Sequence, residues 1–129
     1  MARYSSFEEL PVWQNAKTLA IVTYKISSNG RLSKDFSLKD QIRRCAVSIS
    51  SNIAEGFERG TKQEFIQFLY IARGSCGELR SQIRIAEDIG YISHKDSIYI
   101  RNLAQDVSRQ INGFVEYLKK SSFKGQKFK

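Results

Sequence analysis

Histidine and proline are almost missing from this sequence, cysteine is scarce, and acid is outnumbered by base. Each shortage removes a class of function. A single histidine, His94, leaves no second imidazole for a histidine metal site. The two cysteines, Cys45 and Cys76, form no CxxC, so zinc-ligand spacing is absent, and two isolated thiols read as small buried residues rather than as a disulfide. The single proline, Pro11, leaves the rest of the chain free to form long helices. No apolar run approaches the ~20 residues that a membrane span needs. The opening MARYSSFEELPVWQ lacks an apolar signal core, so the expected compartment is the cytoplasm, with no membrane partner.

Acid is short because lysine and arginine number 21 against 13 aspartates and glutamates, a net charge of +8. The excess is uneven. The last eleven residues, KKSSFKGQKFK, hold five lysines (Lys119, Lys120, Lys124, Lys127 and Lys129) and no acid, which leaves 16 basic against 13 acidic groups elsewhere, a net +3. Residues 119–129 are therefore expected to be a flexible basic tail. Such a tail either favours anionic partners such as nucleic acid or keeps the protein soluble.

What is present is helical periodicity. With 41% hydrophobic residues in 129, the chain is long enough for one domain with a real core. Pro11 sits where a first helix can begin, since its missing N–H costs nothing there. Val12, Ala16, Leu19, Ala20, Thr23 and Ile26 follow at helical spacing until the stop signal Ser27-Ser28-Asn29-Gly30. Residues 29–37 read as the longest connection, and Ser37 as the next N-cap. Leu38, Ile42, Cys45, Ile49, Ile53 and Phe57 form a second stripe, ended by Arg59-Gly60. Thr61 and Glu64 then match a capping box, in which hydroxyl and carboxylate each satisfy a free backbone N–H. Phe65, Phe68, Leu69, Ala72, Cys76, Leu79, Ile83 and Ala86 carry a third helix to Gly90, a natural C-terminal cap. Ser93 opens a fourth, with Ile100, Leu103, Val107, Ile111, Phe114 and Leu118. Helices over about 11–28, 38–58, 62–90 and 94–118, with short joints and no strand-like alternation, predict an all-α fold. Its architecture is an antiparallel up-down-up-down four-helix bundle spanning residues 1–118.

Beside the second apolar stripe runs a polar one: Gln41, Arg44, Ser48, Asn52, Glu55 and Arg59. Within it Glu55 with Arg59, and Asp40 with Arg44, are spaced to pair at i,i+4. The stretch SISSNIAEGF (residues 48–57) is rich in poor helix formers. Helix three likewise carries Gly74-Ser75-Cys76-Gly77 in its middle. These small residues make sense where a second backbone comes close, with Gly56, Ala54, Gly74 and Gly77 as the candidate contact points. Bond-making chemistry fits less well. Ser48, Ser50 or Ser51 as a nucleophile would need a base, and the only imidazole sits beside an N-cap at the start of helix four. The run GFERGTK (56–62) has the wrong spacing and order for a phosphate loop. A carboxylate metal site lacks its Glu-x-x-His partner. No catalytic residue, cofactor or metal is expected, and the chain does not read as an enzyme. Arg73, Arg80 and Arg84, spaced 7 and 4, share one face of helix three with Gly77. With Arg43 and Arg44 on helix two, they are the candidate phosphate contacts. The alternative is a solvated basic face paired internally with Glu78, Glu87 or Asp88. Phe57, Phe65, Phe68 and Trp13 fall at core phases.

The stretches LPVWQNAKTLA and LKDQIRRCAVSISSNIAEGFERGTKQEFIQFLYIARGSCGELRSQI resemble the four-helix-bundle family named for open reading frames in 23S ribosomal RNA intervening sequences. The resemblance spans roughly residues 7–92. Beyond that, helix four and the lysine tail match only in character. The resemblance implies a self-assembling bundle, a ring-shaped homopentamer, with no established catalytic activity. The architecture is also similar to that of the accessory proteins of diversity-generating retroelements, which bind a reverse transcriptase and nucleic acid. The motif positions carried over are Gln41, Arg44, Ser48, Asn52, Glu55, Gly56, Arg59, Gly74, Ser75 and Glu78, and with Gly77 they are expected at packing or subunit contacts. The chain departs from the pattern at Ser50, where proline is expected, which questions the local helix geometry. Two functions follow as expectations. One is an oligomeric RNA- or DNA-binding protein, with structured RNA favoured. The other is an adaptor bundle recruiting a protein such as a reverse transcriptase or a ribosome-associated factor.

Overall fold

The computed structural model describes residues 4–121. Four α-helices account for most of them: α1 Pro11–Ser27, α2 Phe36–Glu58, α3 Lys62–Asp88 and α4 His94–Lys120. Among the described residues there is no strand. Each start has a local cause. Pro11 fills the first turn of α1, Thr61 Oγ1 accepts from the Glu64 N–H at 3.2 Å, and Ser93 Oγ accepts from the Asp96 N–H at 3.0 Å. The Thr61 hydroxyl also donates to the Glu64 carboxylate at 3.0 Å, so the two side chains of the expected capping box bond to each other. α3 ends as expected at Gly90, whose φ of 83° only glycine adopts freely. There the Tyr91 N–H reaches back to the Ala86 carbonyl at 2.8 Å, closing a Schellman-type cap.

The connection after α1 differs from expectation. It contains a 3₁₀ turn, Arg31–Lys34, that buries Leu32. The N-cap of α2 is Asp35, whose carboxylate accepts from the Leu38 N–H at 3.1 Å, and not Ser37. Aspartate out-competes serine here because its charge also favours the helix N-terminus. Helix α4 runs to Lys120, so Lys119 and Lys120 belong to its last turn rather than to a tail. Cations at a helix C-terminus complement its dipole. Lys124, Lys127 and Lys129 lie outside the described residues.

Residue pairs across the helices fix the topology. Ser48 meets Ser75 while Gly56 meets Phe65 and Phe68, so numbers rise along α2 as they fall along α3. Arg73 meets Asn112 while Glu87 meets Arg101, which makes α3 and α4 antiparallel. On the closing side, Pro11 and Val12 lie with Phe114, and Thr18 lies with Leu103 and Val107. The bundle therefore runs up, down, up, down. The four apolar stripes meet in one core, from Leu19 and Ile49 through Phe57 and Phe65 to Leu79 and Ile111. Phe57, Phe65 and Phe114 continue edge to face at the end of the core beside the α2/α3 turn.

Candidate nucleic-acid interface

The small and polar residues of α2 divide by direction. Gly56 is buried, and a Cβ built on it would lie 2.7 Å from Phe68 Cβ and 3.0 Å from Phe65 Cδ1. Only a bare backbone fits. Ser48 Oγ hydrogen-bonds with the Cys45 carbonyl at 2.7 Å and with Ser75 Oγ across the groove at 2.9 Å. Cys45 Sγ donates to the Ser75 carbonyl at 3.2 Å. Asn52 Nδ2 and Ser50 Oγ bond back to the Ser48 and Val47 carbonyls one turn earlier, and α2 continues unbroken through Ser50, where proline was expected. Arg59 pairs with Glu55 at 3.7 Å and Glu64 at 3.1 Å, and lies over the Phe68 ring. The α2/α3 groove is thus closed by its own polar stripe. The expected Asp40–Arg44 pair does not form; both side chains point outward and water screens them. Gln41 and Glu78 flank the same groove from exposed positions, and Glu78 bonds Gln82.

Gly74 and Gly77 behave differently from Gly56. Nothing lies within 4 Å of a Cβ built on either, so among the described residues no backbone packs against them. The physical reason is rotational. α3 buries Phe65, Leu69, Ala72, Cys76, Leu79, Ile83 and Ala86, and both glycines sit on the arc facing away. Ile71 and Ile85 share that arc, each 51% exposed.

The five candidate arginines separate onto different faces. Arg43 is spent inside the fold. Its guanidinium donates to Ser27 Oγ (2.8 Å), Ser28 Oγ (2.9 Å) and the Tyr24 carbonyl (3.2 Å), and stacks 4.4 Å from the Tyr24 ring. It caps the C-terminus of α1 and is not available to phosphate. Arg44, one residue on, points outward from α2. Arg73, Arg80 and Arg84 do share a face, on the α4 side of α3. Arg73 donates to Asn112 Oδ1 at 2.8 Å, and Glu87, fourteen residues later, meets Arg101 of α4 at 3.2 Å. Arg80 lies midway between those crossings, exposed, with no hydrogen bond or ion pair among the described residues. Arg84 pairs with Asp88 at 3.1 Å, an exposed contact worth little and readily exchanged for a phosphate.

Sequence reasoning missed the residues that complete this face. Tyr70 lies 4.8 Å from the Arg73 guanidinium and 5.9 Å from Lys119 Nζ, measured to the ring centre. A hydrogen bond to Tyr70 pushes the Lys119 ammonium above the ordinary lysine range. The Tyr70–Arg73 spacing of three was the available signal, and Asn112 carried none.

The remaining chemistry is structural. His94 is exposed, as expected of a first-turn residue, and its Nδ1 sits 2.6 Å from Glu87 Oε2. Hydrogen bonds from Ser97 and His94, then the His94 and Arg101 charges, hold the Glu87 carboxyl down at about 2. Cys45 and Cys76 are free and buried. Burial above all pushes both thiols up to about 12, which leaves almost no thiolate at neutral pH. Among the described residues no group of His, Cys, Asp and Glu could hold a metal ion, and no helix is long and apolar enough to cross a membrane.

The fold has a solved counterpart. The crystal structure of a protein of unknown function from the S23 ribosomal protein family of Bacteroides thetaiotaomicron superimposes with a TM-score of 0.74 at 23% identity. The match covers 81% of this chain and 98% of that one. No curated protein matches at a significant level. The family described as 23S rRNA-intervening sequence protein matches residues 8–113, which extends the resemblance through most of α4, and the chain belongs to that family.

Proposed function

We propose that this protein is a non-enzymatic, homo-oligomeric bundle that binds structured RNA through the basic α3/α4 face. The observation that carries the reading is Arg80. It is an arginine without a counter-ion among the described residues, flanked by Arg73 and Arg84 on one rigid helix face. A guanidinium in that setting is pre-positioned for bidentate phosphate contact. Lys119 and Lys120 extend the positive field at the C-terminus of α4, in the reducing cytoplasm where the chain is expected to work. Binding by such a face releases counterions. Affinity falls with salt by about 0.7 log units per log of salt for each phosphate neutralised on single strands, and about 0.9 on duplex DNA. Fluorescence anisotropy at 150 mM salt tests this, with Arg80→Ala/Arg84→Ala expected to weaken binding and flatten the salt slope. Absence of binding up to roughly 100 μM, for structured RNA and duplex DNA alike, decides instead for an adaptor whose partner is a protein.

Self-association is supported by the outward arc of α3. Ile71 and Ile85 stand half exposed around Gly74, which leaves room for another backbone. One repeated contact of this kind closes a ring, with the pentamer as the form the family resemblance implies. Light scattering that gives the monomer mass of 14.8 kDa at micromolar concentration would remove this part of the proposal.

A further inference from the structure

Resting on the nucleic-acid reading above, we infer that Tyr70, Arg73 and Lys119 form a stacking platform for an unpaired nucleotide, so that the α3/α4 face selects single-stranded segments over duplex. Tyr70 is 37% exposed, on a side of α3 that turns away from the buried stripe. Two cations lie over its ring, one from each helix: Arg73 at 4.8 Å and Lys119 at 5.9 Å from the ring centre. Asn112 holds the Arg73 guanidinium in place from α4 at 2.8 Å. Lys119 also pairs with Glu116 one turn earlier on α4, at 3.8 Å, an exposed contact. Lys62 donates to the Ser121 carbonyl at 3.0 Å and fixes the end of α4 beside the start of α3. Along α3 from Tyr70 runs a surface groove of about 590 Å³ lined by Arg59, Gln63, Glu64, Ile66, Gln67 and Phe68, in which the Glu64 carboxylate is paired with Arg59 at 3.1 Å. That volume is in the range of small-ligand sites, ~300–1,000 Å³.

The chemistry selects the class of ligand. A π-face accepts any base, but only a base outside a stack can reach it. Glutamine amides offer both donors and acceptors to a base edge. Cations beside the ring neutralise the adjoining phosphates, and a duplex could use only those cations.

The probes are a labelled 12-nucleotide oligo(A) RNA and a blunt 12-base-pair RNA duplex, titrated against the full chain by anisotropy. Tyr70→Ala is expected to weaken oligo(A) binding about 5- to 150-fold, the span of one lost base–aromatic stack, and to leave duplex affinity unchanged. Tyr70→Phe keeps the ring and should bind oligo(A) as the parent does. Photocrosslinking to 5-iodouridine RNA should mark the peptide that carries Tyr70. Unchanged oligo(A) affinity in Tyr70→Ala, with binding still lost in Arg80→Ala/Arg84→Ala, overturns the platform and keeps the basic face. Equal loss for both probes, or a Tyr70→Phe as weak as Tyr70→Ala, also overturns it. Absence of binding to either probe by the parent chain overturns the platform and the nucleic-acid reading together. Thermal unfolding of each variant separates lost binding from lost fold.

Discussion

Three glycines on facing helices should respond oppositely to one added methyl group. A Cβ at Gly56 lies 2.7 Å from Phe68 Cβ and 3.3 Å from the Phe65 carbonyl oxygen. Ordinary carbon–carbon contact is about 3.5–4.0 Å. Phe68 Cβ is bonded directly to its backbone, so no rotamer change carries it away. Relief requires α2 and α3 to separate by most of an ångström, against a core in which Phe57 and Phe65 already interlock. Overpacking of this kind costs about 1–3 kcal/mol, and alanine returns about 1 kcal/mol of helix propensity. Gly56→Ala should therefore destabilise by up to about 2 kcal/mol. Gly74→Ala and Gly77→Ala gain the same propensity with nothing within 4 Å to oppose it. Each should stabilise the single chain by about 1 kcal/mol, or raise Tm by about 3–5 °C at this size. Urea unfolding of the three variants, with mass by light scattering, provides the measurement. A Gly56→Ala variant stabilised by about 1 kcal/mol, the gain that alanine propensity alone gives, refutes the close-approach reasoning. Loss of stability in Gly74→Ala together with a fall in mass shows that a second copy occupies the outward arc.

Arg43→Ala removes a charged donor from Ser27, Ser28 and the end of α1, so it should cost about 1.5–3 kcal/mol in urea unfolding while RNA affinity stays unchanged. A variant that keeps its stability and loses RNA binding would return Arg43 to the interface. Glu87 has a folded pKa near 2, below its ordinary 4.5, so its contribution is complete above pH 4.5 and is lost as pH falls toward 2. Glu87→Gln should flatten the acid side of the stability–pH curve in that window, and an unchanged curve would show that the carboxylate is not held down.

The helices were legible because their signals are local and redundant. Thr61, Ser93 and Gly90 each mark an end through a bond to the nearest turn, Pro11 marks one by its missing N–H, and the structure has them in those roles. Asp35 displaced Ser37 because two capping residues stood close together, and their competition is settled by charge and by the 3₁₀ turn before them. The interface was only half legible. Spacing placed Arg73, Arg80 and Arg84 on one side of α3, but it could not show that Arg43 reaches across to α1 at Tyr24 and Ser27. That bond joins positions 16 residues apart through the tilt of two helices. Glycine was ambiguous for the same reason. Composition treats Gly56 and Gly77 alike, and only the direction of each along its helix separates a forced contact from open space.

Direction also makes the two proposed roles of α3 compatible. At about 100° per residue, Arg73, Arg80 and Arg84 stand roughly 100–180° around the helix from Ile71 and Ile85. A second copy seated on the isoleucines and Gly74 would bury apolar surface and bare backbone, while Gly77 and the arginines beside it stayed at the rim of the contact. Rim charges keep most of their hydration, so assembly would not impose the desolvation penalty that a buried, unpaired guanidinium carries. Each added subunit would repeat the same rim, with Tyr70, Arg73 and Arg80 at a constant offset from its neighbour's. Affinity for a long single strand should then exceed that of one chain through effective concentration, since a strand held at one platform meets the next without a second diffusional search. The same geometry would give little advantage to a strand too short to span two platforms. Oligomer-breaking changes on the isoleucine arc should therefore weaken binding of long RNA far more than of a 12-mer, although no residue on that arc need touch nucleic acid.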